Sequence, residues 1–453
     1  MDGIKIYRGS DQIGGIVTEI TKGDHRILID LGANLPGIKN PVLSDDELIK
    51  RVFAGEGDSI HTDAVLFTHY HGDHVGLRGK APEGIPMYIG GTAKEIMETI
   101  AMRVDLLNKK LCKNAPSQIE TINRMEPYWK LGSSRDFNGI KVTPLVCDHS
   151  AIDSYMFVIE LNGKKILYTG DFRDHGIPGQ DTFESMIKRY VGKIDVLVTE
   201  GTMISRLEET GNNPIKSEDD LGKRAAEIFA EHKENVVLVS STNLDSVMEF
   251  YHATPADKVF LCDAYQAEVM NIAIKSRSRF FDKYRYKKCI YVLCPDNNSF
   301  YMKNLEGVRN PVTKRRCFEM ADEDIYLDKG FVMLARPNNN PNMAVGRFEE
   351  RMQKMKDPFI TYSMWTGYLE DGKAPDANIV RFLEGKNDKA HMEILHTSGH
   401  AYVETIAKLM ELTNPDKIIP MHTEGRDAFT NLPQFGEYAN RIWKKEDGQV
   451  YEF

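Results

Sequence analysis

Short apolar runs broken by turns recur over residues 1 to about 204, a rhythm that predicts strands, with one long helical pattern from Thr92 to roughly Asn114. Four of the strand-like runs stop at polar residues. Ala64-Val65-Leu66-Phe67 leads into Thr-His-Tyr-His-Gly-Asp-His, and Lys141-Val142-Thr143 precedes Val-Cys-Asp-His-Ser. Lys165-Ile166-Leu167-Tyr168-Thr169-Gly170 runs into a tight glycine turn, and Lys417-Ile418-Ile419-Pro420-Met421 is another apolar run. From about 206 to 385 the chain has its own alternation. Val236-Val237-Leu238-Val239 reads as a buried strand, followed by Ser240-Ser241-Thr242-Asn243 and a helix from Leu244. Such a joint can cradle phosphate on helix N-terminal amides, although an ordinary strand-to-helix joint is the preferred reading. Phe331 to Leu334 and Phe359 to Tyr362 read as further strands of a parallel α/β insert, before a return at Glu393-Ile394-Leu395 and a helix from about Val403 to Leu412. No internal repeat appears, and the longest linker-like stretch is Glu209-Thr210-Gly211-Asn212-Asn213-Pro214.

Size supports this division. A chain of 453 residues exceeds the ~250–300 that one core usually serves, so a second domain is expected. With 41% hydrophobic and 28% charged residues, the composition is that of a folded protein and not a disordered one. The N-terminus shows no basic region followed by an apolar core, and no run approaches the ~20 apolar residues of a membrane helix. Neither a signal peptide nor a membrane partner is expected. Six scattered cysteines (112, 147, 262, 289, 294 and 317) without Cys-x-x-Cys spacing read as reduced thiols, with the cytoplasm as the default compartment.

A net charge of −9 argues against a nucleic-acid partner. The charge is uneven, however. Lys275 to Lys288 reads KSRSRFFDKYRYKK, seven basic residues against one acid, interleaved with Phe280, Phe281, Tyr284 and Tyr286. Cations and aromatic faces suit a single-strand groove. The plainer reading, a solvated helix face with its aromatics in the core, is favoured. Lys314-Arg315-Arg316 poses the same choice on a smaller scale.

The strongest chemical feature is the run holding His69, His71, Asp73 and His74. Imidazoles two apart at a strand end point to one side, and Gly72 is expected to turn the chain so that Asp73 and His74 face the same point. Neutral imidazole and carboxylate at that spacing suit zinc, one ion with the first pair and one with the second. His149, Asp171 and His422 also fall at strand ends, where separate strands can bring side chains to one place.

Those residues resemble the metallo-β-lactamase superfamily over nearly the whole chain. Asp30, in Ile27-Leu28-Ile29-Asp30-Leu31-Gly32, matches its first motif, a carboxylate behind the metal ligands; the His-x-His-x-Asp-His run, His149 and Asp171 match the next three. The resemblance implies that His69, His71 and His149 bind one metal and that Asp73, His74 and His422 bind the other, with Asp171 bridging. It also implies an α/β fold: a four-layer αββα sandwich interrupted by an inserted domain. A narrower resemblance lies in Val198-Thr199-Glu200-Gly201-Thr202, His396-Thr397-Ser398-Gly399-His400-Ala401 and Pro420-Met421-His422-Thr423-Glu424-Gly425. These are similar to motifs A, B and C of the β-CASP branch, in its ribonuclease J-like form, and His in place of Val at motif C leans toward RNA. Two departures stand out. Thr361 to Tyr368 replaces an expected serine-rich segment, and the chain stops soon after motif C. The implied layout is a metallo-β-lactamase domain over 1–205, the β-CASP insert over 206–385 and a return segment over 386–453.

The implied activity is hydrolysis of RNA phosphodiester bonds with two divalent ions, zinc first and manganese second, through a metal-activated hydroxide that leaves a 5′-phosphate. Asp73 would ligate metal and orient water. His400 would be the general acid, kept protonated by Glu200, with a structural brace as the plainer role for that pair. Ser398 and the Gly399 amide would grip the neighbouring phosphate. Single-stranded RNA is the expected partner, and a homo-oligomer is compatible with this reading. The rivals are a small-molecule metallohydrolase acting on an ester, lactone or phosphodiester, and a catalytically silent RNA-binding protein.

Overall fold

A computed structural model describes residues 2–35, 43–53, 60–111, 117–207, 211, 213–293, 300–337, 354–370, 375–386, 388 and 390–453. The chain divides into two compact units, residues 1–213 with 399–453, and residues 214–398.

The first unit is built on two sheets whose apolar faces meet. One sheet has seven strands in the spatial order Val450–Glu452, Gly3–Arg8, Val17–Lys22, His25–Ile29, His61–Leu66, Met87–Ile89 and Met125–Pro127. The other has six, ordered Lys417–Met421, Val196–Glu200, Lys164–Tyr168, Ser154–Leu161, Ile140–Cys147 and Arg135–Phe137. Period-two alternation explains the layering. Ile27 and Ile29 of the first sheet pack with Ile166, Tyr168, Val196, Val198 and Ile419 of the second in one core. On the outer face of the second sheet, Leu167, Leu197 and Ile418 pack against Ile406, Leu409 and Met410 of the helix Val403–Thr413. Helices Asp45–Phe53 and Gly91–Leu111 bury Leu48, Val52, Ala93, Ile96 and Met97. The αββα expectation holds. The helical pattern from Thr92 is present, and its expected end at 112–114 lies outside the described residues.

The second unit is a seven-stranded sheet in the order Phe318–Met320, Ile290–Leu293, Val259–Asp263, Phe331–Ala335, Glu234–Val239, Pro358–Ser363 and Met392–Ile394. All its pairings are parallel, and its strands are accordingly near-continuous in apolar residues, as sheets covered on both faces require. Its first helix, Glu218–Glu231, opens with a capping box in which Ser217 and Asp220 satisfy each other's backbone amides. Of the linker-like stretch before it, residues 209, 210 and 212 lie outside the described residues.

One expectation is overturned. Glu393-Ile394-Leu395 does not begin the return, because Met392–Ile394 pairs with Pro358–Ser363 and extends the second unit's sheet. The crossing falls at Ser398/Gly399, so residues 386–398 build with the second unit. The basic run at 275–288 also resolves toward the plainer reading. Arg277 and Tyr284 engage Asp245, Lys283 holds Glu249 at 2.6 Å, and Lys288 donates to the carbonyls of Thr254 and Pro255 at 2.7 Å each. Tyr284 is fully buried and Tyr286 donates to Asn271, whereas Phe280 is exposed. Most of these side chains fasten the segment after the helix Ala264–Arg277 to the helix Leu244–Ala253 and the turn beyond it.

Among the described residues no helix is long and apolar enough to cross a membrane. Cys147, Cys262, Cys289 and Cys317 are free thiols, while Cys112 and Cys294 lie outside the described residues.

Candidate metal centre

Every predicted ligand of the first unit comes from the C-terminal end of a strand or the loop just beyond it. The strand His61–Leu66 ends three residues before His69, and Gly72–Val75 then forms one helical turn. That turn is where the structure differs from expectation. Gly72 has no left-handed backbone, and the redirection of Asp73 and His74 comes from the helical turn itself. Its neighbours hold it: Ile16 N donates to Asp73 O at 3.0 Å, Leu31 N to His74 O at 2.8 Å and Ala33 N to Gly72 O at 3.1 Å. Gly32 is required for this approach, since a Cβ there would lie 1.7 Å from Asp73 O.

The side chains converge. One atom from each of His69, His71 and His149 lies within 4.8 Å of the others, and the same holds for Asp73, His74 and His422, for His69, His74 and Asp171, and for Asp171, Glu200, His400 and His422. Asp171 Oδ2 is 3.1 Å from His74 Nε2, 3.7 Å from His422 Nε2 and 3.9 Å from His69 Nε2, and so lies between the two triplets.

Hydrogen bonds set the direction in which each imidazole points. Asp30 accepts from Thr68 N at 2.7 Å, from Thr68 Oγ1 at 2.8 Å and from His74 Nδ1 at 2.8 Å. Because the Thr68 hydroxyl donates to Asp30, it accepts from His69 Nδ1 at 3.0 Å. Thr202 repeats the device on the far side: its hydroxyl donates to His422 O at 3.2 Å and accepts from His422 Nδ1 at 2.7 Å. His149 Nδ1 donates to Gly399 O at 2.5 Å. Four rings therefore turn Nε2 and its lone pair inward, the arrangement metal-binding histidines need. His71 brings Nδ1 to 3.3 Å from His149 Nε2.

The donors fit a metal by a second criterion. His69 Nε2, His74 Nε2 and Asp171 Oδ1 are buried without any hydrogen-bond partner. Burying such atoms unpaired costs about 1–3 kcal/mol each, which a coordinated cation would offset. Burial holds the His69 and His149 imidazoles well below their ordinary range and His71 down at about 4. All three imidazoles are neutral at physiological pH, the form a metal requires. Asp30 and His422 both adopt left-handed backbone, at φ 61° and 50°, the kind of strain that clusters at functional sites.

His400 and Glu200 form a separate pair beside this cluster. His400 Nδ1 donates to Glu200 Oε2 at 2.9 Å, with Asp171 Oδ2 at 3.6 Å. Glu200 is fully buried, and its other oxygen accepts from Phe172 N at 2.9 Å. Burial alone would lower the His400 pKa; the Glu200 and Asp171 charges outweigh it and raise the pKa. Of the two phosphate candidates, Gly399 belongs to the first unit and Ser398 to the second. A Cβ on Gly399 would stand 2.6 Å from Ser150 Oγ.

Thr68 and Thr202, which orient His69 and His422, carry no motif of their own that assigns them this role. The same is true of the buried pair Asp148 and Arg173, 3.2 Å apart, which joins the loops bearing His149 and Asp171. A signal for Thr68 and Thr202 exists only in retrospect, as a hydroxyl directly beside His69 and Glu200-Gly201.

Comparison with known proteins follows the same lines. Residues 25–270 match the model of the beta-lactamase superfamily domain, and residues 389–432 match the Zn-dependent metallo-hydrolase RNA specificity domain. The chain is 21% identical over 442 residues to ribonuclease J of Corynebacterium glutamicum, covering 95% of this chain and 55% of that protein. It is 20% identical to ribonuclease J of Mycoplasma genitalium, covering 93% and 68%, and 22% identical to cleavage and polyadenylation specificity factor 73 of Drosophila melanogaster, covering 93% and 60%. This chain thus spans little more than half to two thirds of these relatives. A crystal structure of a protein of unknown function from Enterococcus faecalis V583 shares the fold, with a TM-score of 0.68 at 18% identity over 98% of both chains. The chain is similar to ribonuclease J and its relatives, and it belongs to the metallo-β-lactamase superfamily.

Proposed function

We propose that the protein is a two-metal hydrolase that cleaves phosphodiester bonds of single-stranded RNA and leaves a 5′-phosphate. The observation that carries this reading is the convergence of His69 Nε2, His74 Nε2 and Asp171 Oδ1, buried without a hydrogen bond, beside the His400–Glu200 pair. The ribonuclease names of its relatives and the match to an RNA specificity domain support RNA as the substrate. In this reading His69, His71 and His149 would hold one ion and Asp73, His74 and His422 the other, with Asp171 shared between them. Zinc suits this nitrogen-rich set, with manganese second. When bound, the ions supply Lewis acidity against a phosphate oxygen and acidify water.

The chain's own groups carry the remaining work. Asp73 accepts a hydrogen bond from the attacking water and fixes its direction. His400 uses Nδ1 on Glu200, so its Nε2 proton is the one delivered to the departing 3′-oxygen. Glu200 keeps that imidazole protonated and in one orientation, and its own position is fixed by the Phe172 amide. Ser398 and the Gly399 amide are the candidate grips on the neighbouring phosphate.

The test is incubation of zinc-loaded protein with 5′-monophosphorylated, 3′-labelled single-stranded RNA and its DNA counterpart, with His71→Ala as control. RNA-selective cleavage that the variant lacks is the expected result. Zinc-loaded native protein that cleaves neither strand would overturn the proposal.

A further inference from the structure

The two parallel strands that end at the central cluster carry a second set of ligand-type side chains where they begin. His25 opens the strand His25–Ile29, and its cross-strand partner is His61, the first residue of His61–Leu66. Asp63, two residues beyond His61, shares its face of the sheet. Strands rise about 3.3 Å per residue, so His25 lies roughly 17 Å along the strand from Asp30.

The three side chains meet at one point. His61 Nδ1 donates to Asp63 Oδ1 at 2.7 Å, and His25 Nδ1 reaches the same oxygen at 3.0 Å. The rings stand edge-to-face with centroids 5.7 Å apart. The Asp63 side chain is 8% exposed, His25 32% and His61 71%, so a sunken carboxylate sits beneath two imidazoles open to solvent. The exposed carboxylate of Asp24 stands 3.8 Å from His25 Nε2 at the rim. Arg26 is committed elsewhere, to Glu19 at 2.7 Å and to Thr62 at 2.8 Å, and puts no cation on the cluster.

Two nitrogens and an oxygen around one point are the donors of a borderline cation. Tetrahedral zinc with bonds of about 2.0–2.1 Å needs neighbouring donors roughly 3.4 Å apart. The contacts at 2.7 and 3.0 Å are about 0.4–0.7 Å short of that, the difference between sharing a proton and sharing an ion. We infer that His25, His61 and Asp63 form a peripheral transition-metal site of the Zn²⁺ class, separate from the central cluster, with at least one coordination position open to water. Binding puts the metal on the two Nδ1 lone pairs, with each neutral imidazole's proton moving to Nε2, and joins the starts of the two strands. The imidazole pair selects zinc, nickel or copper over magnesium or calcium.

The test counts zinc. Full-length protein is stripped with chelator, dialysed against buffered micromolar free Zn²⁺ and analysed for metal per chain, alongside the double variant His25→Gln/His61→Gln, single His61→Gln and Asp63→Asn. The expected result is one zinc fewer per chain in the double variant, with unchanged circular dichroism, and at least tenfold weaker binding of that ion in Asp63→Asn. His61 is largely exposed, so the single variant keeps the measurement interpretable if the double variant folds poorly. Equal zinc content in native and variant chains, or an extra ion only at millimolar zinc, would overturn the inference.

Discussion

Gly32→Ala is the smallest change that should disable the central cluster, and its effect can be worked from distances. The added Cβ would lie 1.7 Å from Asp73 O, 2.5 Å from its carbonyl carbon and 2.6 Å from Ile16 N. A carbon meets a carbonyl oxygen comfortably at about 3.3 Å, so the two backbones must separate by about 1.6 Å. All the atoms in the way are backbone, and no side chain can swing aside. The move breaks Ile16 N to Asp73 O and strains Leu31 N to His74 O, each worth about 0.5–1.5 kcal/mol. Overpacking adds about 1–3 kcal/mol, giving a loss of about 2–6 kcal/mol. Function should suffer more. Ligand distances tolerate about 0.2 Å, and a misplacement of about 1 Å can slow a reaction about 10²-fold. Zinc content, melting temperature and the RNA cleavage rate should all fall. Gly72→Ala is the control: it lies in the same loop, its Cβ would meet nothing within 4 Å, and its backbone is not left-handed. It should stay within about 0.5 kcal/mol of the native protein and keep its zinc. Native zinc content and cleavage rate in Gly32→Ala would refute the argument.

Three further perturbations separate the roles. His400→Ala should retain zinc and slow turnover by about 10²–10⁴-fold; because the His400 pKa is raised, the native rate should persist above the ordinary histidine range and fall as pH climbs through the raised value, a limb the variant lacks. A full rate in that variant would remove His400 from the chemistry. Thr202→Val deletes the acceptor for His422 Nδ1 and should weaken zinc binding about 10–100-fold in a chelator competition, whereas Ser in its place should rescue. Burial pushes the Glu249 carboxyl up to about 7 from an ordinary 4.5, beyond what Lys283 at 2.6 Å restores. A raised pKa favours the folded state when the proton is on, so this contribution is complete below about pH 4.5 and lost as pH rises through about 7. Glu249→Gln should therefore match the native protein near pH 5 and exceed it at pH 8 by at most about 3 kcal/mol in thermal denaturation; no gain at pH 8 would show that the Lys283 pair dominates.

The convergence of the His and Asp side chains was legible because they sit where apolar runs stop. Ligand-type residues at the ends of four strands need only the knowledge that strands converge, whereas the αββα layers came from the family resemblance and not from periodicity. What escaped was whatever depends on which partner a segment meets. Met392–Ile394 is three residues long, and nothing in its pattern says which sheet it will join. The cations of 275–288 looked available because Asp245, Glu249 and the carbonyls of Thr254 and Pro255 are far away in sequence. Thr68 and Thr202 were silent for a subtler reason. A hydroxyl can donate or accept, and only the surrounding acceptors, Asp30 and the His422 carbonyl, decide that it must accept from an imidazole.

The left-handed backbones of Asp30 and His422 have a consequence for the life of the protein in a cell. Strained positions of this kind cost about 1–3 kcal/mol each, and the chain bears that cost together with its unpaired buried donors. Under the proposed function a bound metal would offset both terms, so a chain synthesised while metal is scarce would be a poorer folder as well as an idle catalyst. A deficit of about 1–2 kcal/mol is enough to change steady-state abundance several-fold through proteolysis. Metal supply would then govern how many copies survive degradation before it governs how fast any one of them works.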